Sequence, residues 1–479
     1  MKIHRILCFF ILMGFLTGAV GSATKPGVPR PTNPEGFSLS TDVNVTVSIQ
    51  KIRALDKNDV QVHRESYIEK DSDPSLFVKI SINAEEFISP VWTHTKYIYT
   101  PDFSATVTVP VDQEFVTVKI QLWDRSPSGD ILCDIGNATD DATMNYSINT
   151  GHWTGDDHLG DASGYGRLNG CDDGNIYGGR RDAELWFDIT QSDTAGDGVP
   201  SWMKENVYHL DPTQNYSTYD PNSDGIPLPW DWKWGYDPFA ADGHNALDPD
   251  TDGLNNRKEY ETSQWGSDPF CKDLFVELDQ MMPGPHGEQS IFPNDSKEIL
   301  YTAYDRYNVV YHLDDGSWAE SGSDMIPFQS STTWDQLNTI YTQYFLHNDS
   351  HNWRRGVFHY GVLIYNQTDV CGSTYRSDAF QISAKGMERE ANKPLLNRTI
   401  VYASAYMHET GHTLDFHPIP GHNQVSAFPW QLGWWINRPY KSCMNYGYTY
   451  YTVDYSDGSR PFNDYNDWQR MDLTYFQRT

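Results

Sequence analysis

His408-Glu409-Thr410-Gly411-His412 is the stretch of this chain that most constrains its fold and its chemistry. From Pro394 onward, apolar side chains recur at three- and four-residue intervals, which predicts a helix with one buried face. Pro418 and the proline two residues later cannot continue that helix, so we expect it to end near Phe416. Two histidines four residues apart lie one turn above each other on a helix and can bind one metal ion.

Glu409 lies between the two histidines, where its carboxylate can take a proton from a metal-bound water. The segment resembles the HExxH signature of zinc peptidases, and this resemblance predicts His408 and His412 as zinc ligands and Glu409 as the general base. The competing interpretation is an amphipathic helix that carries these three residues without any metal.

A catalytic zinc needs three protein ligands and one open position. In thermolysin-like enzymes the third ligand is a downstream glutamate, but no glutamate follows Glu409 in this sequence. Three candidates remain on or beyond the helix end. We favour His417, followed by His422, and then Asp415, which we expect to lie still on the helix.

The segment Ser442-Cys443-Met444-Asn445-Tyr446 resembles the Met-turn of the metzincin clan, whose full pattern is HExxHxxGxxH followed by that turn. The resemblance implies that Met444 lies beneath the metal and that Tyr446 donates to the oxyanion. The alternative for both is an ordinary core residue. The chain departs from the clan where Asp415 replaces its glycine and Pro418 its third histidine.

Upstream patterns favour an α+β, zincin-like catalytic domain over residues 271–479. Period-two alternation predicts strands over 273–279, 308–313 and 356–365, with a helix over 290–307. A further short strand, 379–383, precedes the HExxH helix. In zincins an edge strand at this point pairs with extended substrate, although an ordinary edge strand is an equal alternative.

A second set of motifs predicts calcium. Asp248 to Glu259 matches the twelve-residue calcium loop, with carboxylates at positions 1, 3 and 5, glycine at position 6 and glutamate at position 12. The predicted ligands are Asp248, Asp250, Asp252, Leu254, Asn256 and Glu259. The alternative is an empty acidic turn.

Two weaker copies of this loop precede it, at a spacing of roughly thirty residues. One offers Asp220, Asn222, Asp224 and Asp231; the other offers Asp193 and Asp197, with Lys204 at position 12. The three loops resemble the thrombospondin type 3 or dockerin-like repeats, which implies structural Ca²⁺ in an EF-hand-like linker over residues 191–270. Such loops rigidify a linker and do not act as sensors where calcium is abundant.

Residues 36–190 alternate at period two over several short segments, which predicts an all-β sandwich. Asp71 and Asp73 before one strand, and Asp124 and Asp130 after another, resemble the calcium loops of C2 domains. The polar turns of a plain sandwich explain these aspartates nearly as well.

Residues 1–23 combine two basic residues, a fifteen-residue apolar run and small residues suited to cleavage, which predicts a secretory signal peptide. We therefore expect a secreted, extracellular glycoprotein with no membrane segment after cleavage. Five cysteines remain after the signal, an odd number that permits at most two disulfides. The net charge of −30, from 65 acidic and 35 basic residues, argues against nucleic-acid binding.

Together these patterns predict a multidomain protein: a C2-like sandwich, a calcium-loop linker and a zinc endopeptidase domain acting on protein or peptide substrates. The alternative hypothesis is a calcium-dependent surface or adhesion protein, associated with cells, whose zincin-like domain is degenerate. Zinc-dependent hydrolysis of a non-peptide substrate is a third hypothesis that the motifs do not separate from the first.

Overall fold

The residues described by the structure, a computed structural model, begin after the predicted signal peptide. They are 42–55, 73–110, 113–137, 139–157, 166–174, 181–368, 370–460 and 462–478. The predicted signal at 1–23 and Asp71 of the C2-like turn lie outside the described residues.

The N-terminal part is a sandwich of two antiparallel sheets, as the sequence predicts. Buried and exposed residues alternate along its strands, and the buried ones from both sheets form one apolar core. The first sheet contains β1 (Val43–Ala54), β4 (Tyr97–Ile98), β5 (Phe103–Val109), β10 (Gly166–Asn169) and β11 (Ala183–Gln191). The second contains β2 (Leu76–Ile82), β3 (Glu85–Ile88), β6 (Phe115–Asp124), β7 (Ile131–Leu132), β8 (Ala142–Ser147) and β9 (His152–Gly155).

The linker carries three short helices, each beginning at or near the end of an acidic loop. They are α1 (Ser201–Asn206), α2 (Leu228–Lys233) and α3 (Asn256–Thr262). Asn255 caps α3 by accepting a hydrogen bond from the backbone N–H of Lys258. Position 12 of each loop therefore lies on a helix.

The C-terminal part is built on one mixed sheet. Its strands are β12 (Lys272–Met281), β13 (Val309–Asp314), β14 (Met325–Ile326), β15 (Phe358–Ile364), β16 (Gly372–Arg376) and β17 (Ala379–Ser383). The order is β13-β12-β15-β17-β16, with β14 beside β12, and only β16 runs antiparallel to its neighbour.

The expectation that 379–383 forms the edge of this sheet is wrong. All five residues of β17 are buried, because the strand lies between β15 and β16. The edge is β16, whose sequence Gly-Ser-Thr-Tyr-Arg is small and polar and lacks the apolar alternation that predicts a strand.

The C-terminal part also contains α-helices, and the longest carries the HExxH motif. They are α4 (Asn294–Asp305), α5 (Trp334–Ile340), α6 (Ala384–Ala391), α7 (Arg398–His412), α8 (Leu432–Asn437) and α9 (Asp467–Arg470). Helix α7 begins later than predicted, because Asn397 caps it by accepting from the N–H of Thr399. Among the described residues, no helix is long and apolar enough to cross a membrane.

Helix α7 also ends earlier than predicted, at His412. The hydroxyl of Thr413 donates to the carbonyl of Thr410, and Asp415 has a left-handed backbone (φ +62°), which no helix continues. Asp415 is therefore off the helix, contrary to expectation.

The sandwich and the mixed sheet meet through buried charges. Arg53 of β1 is 1% exposed, and its guanidinium lies 2.8 Å from Glu298 Oε2 and 2.9 Å from Asp305 Oδ2 on α4. Arg167 of β10 pairs with Glu184 and donates to Asn308 Oδ1 at 3.1 Å. These cations of the sandwich neutralise acids on both sides of the interface.

The five cysteines of the described residues are free thiols. Four are buried, and Cys371 is half-buried. Burial raises the pKa of the Cys133 thiol to about 12, with a smaller contribution from Asp134. The Cys133 thiol therefore remains protonated at neutral pH.

Candidate metal centres

Three histidines converge at the end of α7. His408 and His412 come from the helix and His422 from the loop that follows it, and one ring nitrogen of each lies within 4.8 Å of those of the other two. The ring centroids are 4.9–5.1 Å apart, and His408 Nε2 is 3.1 Å from His422 Nε2. Three imidazole nitrogens at this spacing suit one zinc ion.

The favoured third ligand, His417, is displaced from this cluster. Its side chain is 56% exposed, and its ring centroid lies 5.5 Å from that of His412, at the rim. Asp415 is 42% exposed and also lies outside the cluster. Asp415 (φ +62°) ends the helical backbone, and Gly421 (φ +73°) directly precedes His422, which lies with the two histidines of the helix. The structure thus groups His408 and His412 with His422, the second of the three predicted candidates for the third ligand.

The loop bearing His422 rests on the predicted Met-turn. The backbone N–H of Tyr446 donates to the carbonyl of Gly421 at 3.2 Å. A Cβ at Gly421 would lie 2.4 Å from Asn445 Oδ1, so only glycine permits this approach. Asn445 is itself fixed by donating to the carbonyl of Tyr440 at 2.8 Å.

Met444 is fully buried beneath the motif. A Cβ at Gly411 would lie 2.6 Å from Met444 Sδ, so the glycine inside the motif makes room for the methionine. The sulfur therefore packs directly against the part of α7 that carries His408 and His412.

The histidines are held neutral, which is the form that binds a metal. Burial lowers the pKa of His408 to about 3 and that of His412 to about 2, and the neighbouring imidazoles add to both shifts. Burial also lowers the pKa of His422. His408 Nδ1 lies 2.8 Å from the carbonyl oxygen of Cys443, which can only accept, so Nδ1 carries the proton and Nε2 is free to bind.

Glu409 lies between this cluster and the edge strand β16. Its Oε2 accepts a hydrogen bond from the hydroxyl of Thr374 at 3.2 Å, and a Cβ at Gly372 would lie 2.5 Å from its Oε1. Burial raises the pKa of Glu409 to about 8, against the smaller opposing effect of Thr374. A carboxylate with a raised pKa near neutrality suits proton transfer.

A cleft of about 500 Å³ opens over the histidines. Its lining includes the edge strand β16 and the turn after it, residues 372–377, together with Tyr446 and Tyr475. The ring of Tyr446 lies 4.4 Å from that of His422, centroid to centroid. Thr374, Gly372 and Tyr475 were not anticipated, because none belongs to a motif that includes the histidines.

The first acidic loop, residues 193–204, contains a lysine among its carboxylates. Lys204, at position 12, is fully buried, with its Nζ 3.1 Å from Asp193 Oδ1 and 2.6 Å from Asp197 Oδ1. Asp193 also accepts from the backbone N–H groups of Gly196 and Gly198. The ammonium thus contacts the side chains at positions 1 and 5.

A histidine from outside the second acidic loop, residues 220–231, packs among the carboxylates of that loop. His244 Nε2 lies 2.9 Å from Asp231 Oδ1 and 3.2 Å from Asp224 Oδ2, while Nδ1 lies 2.8 Å from Asp242 Oδ1. Burial alone would lower the pKa of His244, but its hydrogen bonds to Asp231 and Asp242 raise it to about 9. Asn222 turns its amide NH₂ toward Asp224 and Ala240. No sequence pattern marked His244.

The third acidic loop, residues 248–259, contains no such cation. Within the described part of the chain, no lysine or arginine forms an ion pair with its carboxylates. Glu259 is 0% exposed, and neither of its carboxylate oxygens has a hydrogen-bond partner. The same holds for Asp250 Oδ2 and Asn256 Oδ1. Asp273, the second residue of β12, lies within 4.8 Å of Asp252 and Glu259, ligand atom to ligand atom.

Comparisons with known proteins concern mainly C2 domains. No family model and no curated protein matches the chain. Human GIVD cytosolic phospholipase A2, in complex with methyl gamma-linolenyl fluorophosphonate, is 13% identical over 32% of this chain (TM-score 0.19). The matched part spans only 17% of the phospholipase chain. A C2 domain is 10% identical over 31% of this chain and 98% of that chain (TM-score 0.19). A calcium-bound pair of C2 domains from extended-synaptotagmin 2 is 8% identical over 36% of this chain and 54% of that chain (TM-score 0.20). At these values the likenesses carry no conclusion about fold or activity.

Proposed function

We propose that this chain is a secreted zinc-dependent endopeptidase. The observation that carries the proposal is the convergence of His408, His412 and His422 beside Glu409 in an open cleft. Three neutral imidazoles leave one position of a tetrahedral ion for water, as in catalytic zinc sites. The fixed tautomer of His408 supports the same assignment, because zinc-binding histidines donate their other N–H to a carbonyl or carboxylate.

The chemistry follows from the placement of Glu409. When bound, zinc would acidify its water and polarise the scissile carbonyl. Glu409 takes a proton from the attacking water and later gives it to the leaving amine. Thr374 holds one carboxylate oxygen and β16 covers the other, so the carboxylate keeps one orientation within the cleft.

Strand β16 supplies the means of binding an extended peptide. It is the last strand of the sheet, pairs on one side with β17 and lines the cleft beside Glu409. A substrate added along the free side would form main-chain hydrogen bonds irrespective of its side chains. Tyr446 would then donate to the oxyanion, a role supported by its position beside His422 in the cleft.

The sandwich is proposed to be C2-like, with calcium as its ligand in the family it resembles. The support is its two-sheet antiparallel architecture. One of its candidate calcium residues, Asp124, is paired here with Arg181 and accepts from the backbone N–H of Ser75. That ion pair weakens the case for calcium at this turn.

Glu409→Gln tests the proposal. The variant should retain zinc and its far-ultraviolet circular dichroism but lose proteolysis of a denatured protein roughly 10²–10⁴-fold, because the ligands stay while the base is removed. The matched control is His412→Ala, which should lose zinc as well as activity. A parent protein that binds zinc but cleaves neither proteins nor peptides would support the alternative, a degenerate zincin-like surface protein.

A further inference from the structure

The three acidic loops share one backbone arrangement but differ in what neutralises their carboxylates. In each loop the position 1 aspartate accepts from the backbone N–H groups at positions 4 and 6. The scaffold is therefore common to all three, and the difference lies in the nearby side chains. A cluster of carboxylates this dense needs either protons or a cation, since like charges repel strongly when buried.

Two loops obtain that cation from the chain itself. Lys204 occupies position 12, where a calcium loop has a bidentate glutamate. This position therefore carries an ammonium group, which pairs with Asp193 and Asp197. In the second loop, His244 contacts the carboxylates at positions 5 and 12 through one nitrogen. Its other nitrogen contacts Asp242, so both ring nitrogens face carboxylates, and a doubly protonated imidazolium satisfies them.

The third loop lacks any such cation and leaves several oxygens unsatisfied. Both oxygens of the fully buried Glu259, together with Asp250 Oδ2 and Asn256 Oδ1, have no hydrogen-bond partner. Buried polar atoms in a folded protein are almost always paired, so several orphaned oxygens within one loop indicate a missing partner. Hard oxygen ligands suit calcium, and these four would form part of the six to eight that it takes.

We infer that, among the three acidic loops, calcium binds only at the third, that Asp273 completes its shell, and that the first two loops are closed by Lys204 and His244. Asp273 belongs to β12, a strand within the mixed sheet, and its backbone N–H donates to Asp252 Oδ2 at 2.8 Å. The ion would therefore be shared between the linker and the catalytic sheet.

Two hydrogen bonds orient the carboxylate of Asp273. Its Oδ1 lies 2.6 Å from His312 Nε2, and its Oδ2 accepts from the N–H of Asp268 at 2.9 Å. His312 and the backbone of Asp268 therefore flank this carboxylate as outer partners. Metal-binding carboxylates are commonly held in place by outer hydrogen bonds of this kind.

The test is a calcium titration of the full-length protein by calorimetry, together with elemental analysis. The parent should bind one calcium ion tightly. Asp273→Asn should weaken that binding at least 10-fold. The control, Asp242→Asn, removes an acid beside the second loop and should leave calcium binding unchanged. Lys204→Glu restores position 12 of the first loop and should add a second, weaker calcium site.

Each outcome bears on the inference. Two or three equivalent calcium ions in the parent would overturn the assignment of Lys204 and His244. A second zinc ion that is lost in His244→Gln would show that His244 is a metal ligand and not a cation. Parent-like calcium affinity in Asp273→Asn would remove Asp273 from the shell. Circular dichroism of each variant separates lost binding from lost fold, and none of these readouts depends on peptidase activity.

Discussion

The histidine cluster and the third acidic loop both converge on one point, but they differ in charge before any metal arrives. Burial keeps the imidazoles of the cluster neutral, so the ligands coexist without repulsion. Burial and mutual repulsion instead raise the pKa of Glu259 and Asp273 well above the usual range. A cluster of neutral ligands can persist in the metal-free protein, whereas crowded acids need either protons or a cation.

This difference predicts two kinds of metal dependence. Zinc should matter for activity and little for folding, because the cluster is assembled by helix α7 and the Met-turn. Calcium should matter for folding, because its ligands destabilise one another without it.

The largest expected effect is the loss of zinc affinity when one histidine of the cluster is removed. His422→Ala should weaken zinc binding more than about 100-fold, because even outer partners of a zinc ligand contribute 10–100-fold. His417→Ala should remain close to the parent, since that side chain is exposed at the rim. Zinc content after dialysis against a graded chelator measures both. Equal zinc loss in the two variants would contradict the assignment of the third ligand.

The next effect concerns the calcium loop. Removing calcium should lower the free energy of unfolding by about 2.7 kcal/mol if the ion is present at 100 times its Kd. Asp252→Ala should abolish that calcium response, while zinc content stays at the parental level.

Asp197→Ala provides the contrast within the same linker. It removes one of the two acids that contact the buried Lys204, so it should lower the melting temperature equally with and without calcium. Melting curves recorded in calcium and in chelator distinguish the two variants. A calcium-insensitive parent would mean that the third loop is only an acidic turn.

The smallest effect tests the cation of the second loop. The pKa of His244 is raised from about 6.5 to about 9, so its stabilisation is complete below pH 6.5 and is lost as the pH rises through 9. The parent should therefore exceed His244→Gln in stability by at least about 1 kcal/mol at pH 6, since one pKa unit corresponds to about 1.4 kcal/mol. The gap should narrow by pH 9.5 in denaturant titrations. A gap independent of pH would show that His244 stabilises the loop without its charge.

The sequence predicted those site residues that lie close together along the chain, and it missed those that come from distant segments. His408, Glu409 and His412 are fixed by one helical repeat, and the loop positions by one twelve-residue spacing, so local pattern was sufficient. His422 required knowing how residues 413–421 turn, which depends on Gly421 packing against Asn445, a contact across 24 positions. Asp273 and His244 enter their clusters from outside the motif, where only tertiary packing places them.

Lys204 is a different case, since its position was visible in the sequence. A lysine at position 12 appeared only as a defect of the loop, although the same spacing that would bring a glutamate to calcium brings an ammonium to the aspartates. The edge strand β16 was missed because strand prediction relies on apolar alternation, and this strand has little.

The buried pairing of Arg53 with Glu298 and Asp305 has a consequence for how this protein could have diversified. Domains joined by an exposed polar linker can be exchanged between genes with little penalty. Here the sandwich carries the positive charges that two acids of α4 require, so replacing it with an unrelated domain would leave those acids without a counter-charge. The two domains are therefore expected to be inherited together, and paired substitutions at 53 and 305 should be tolerated where single ones are not.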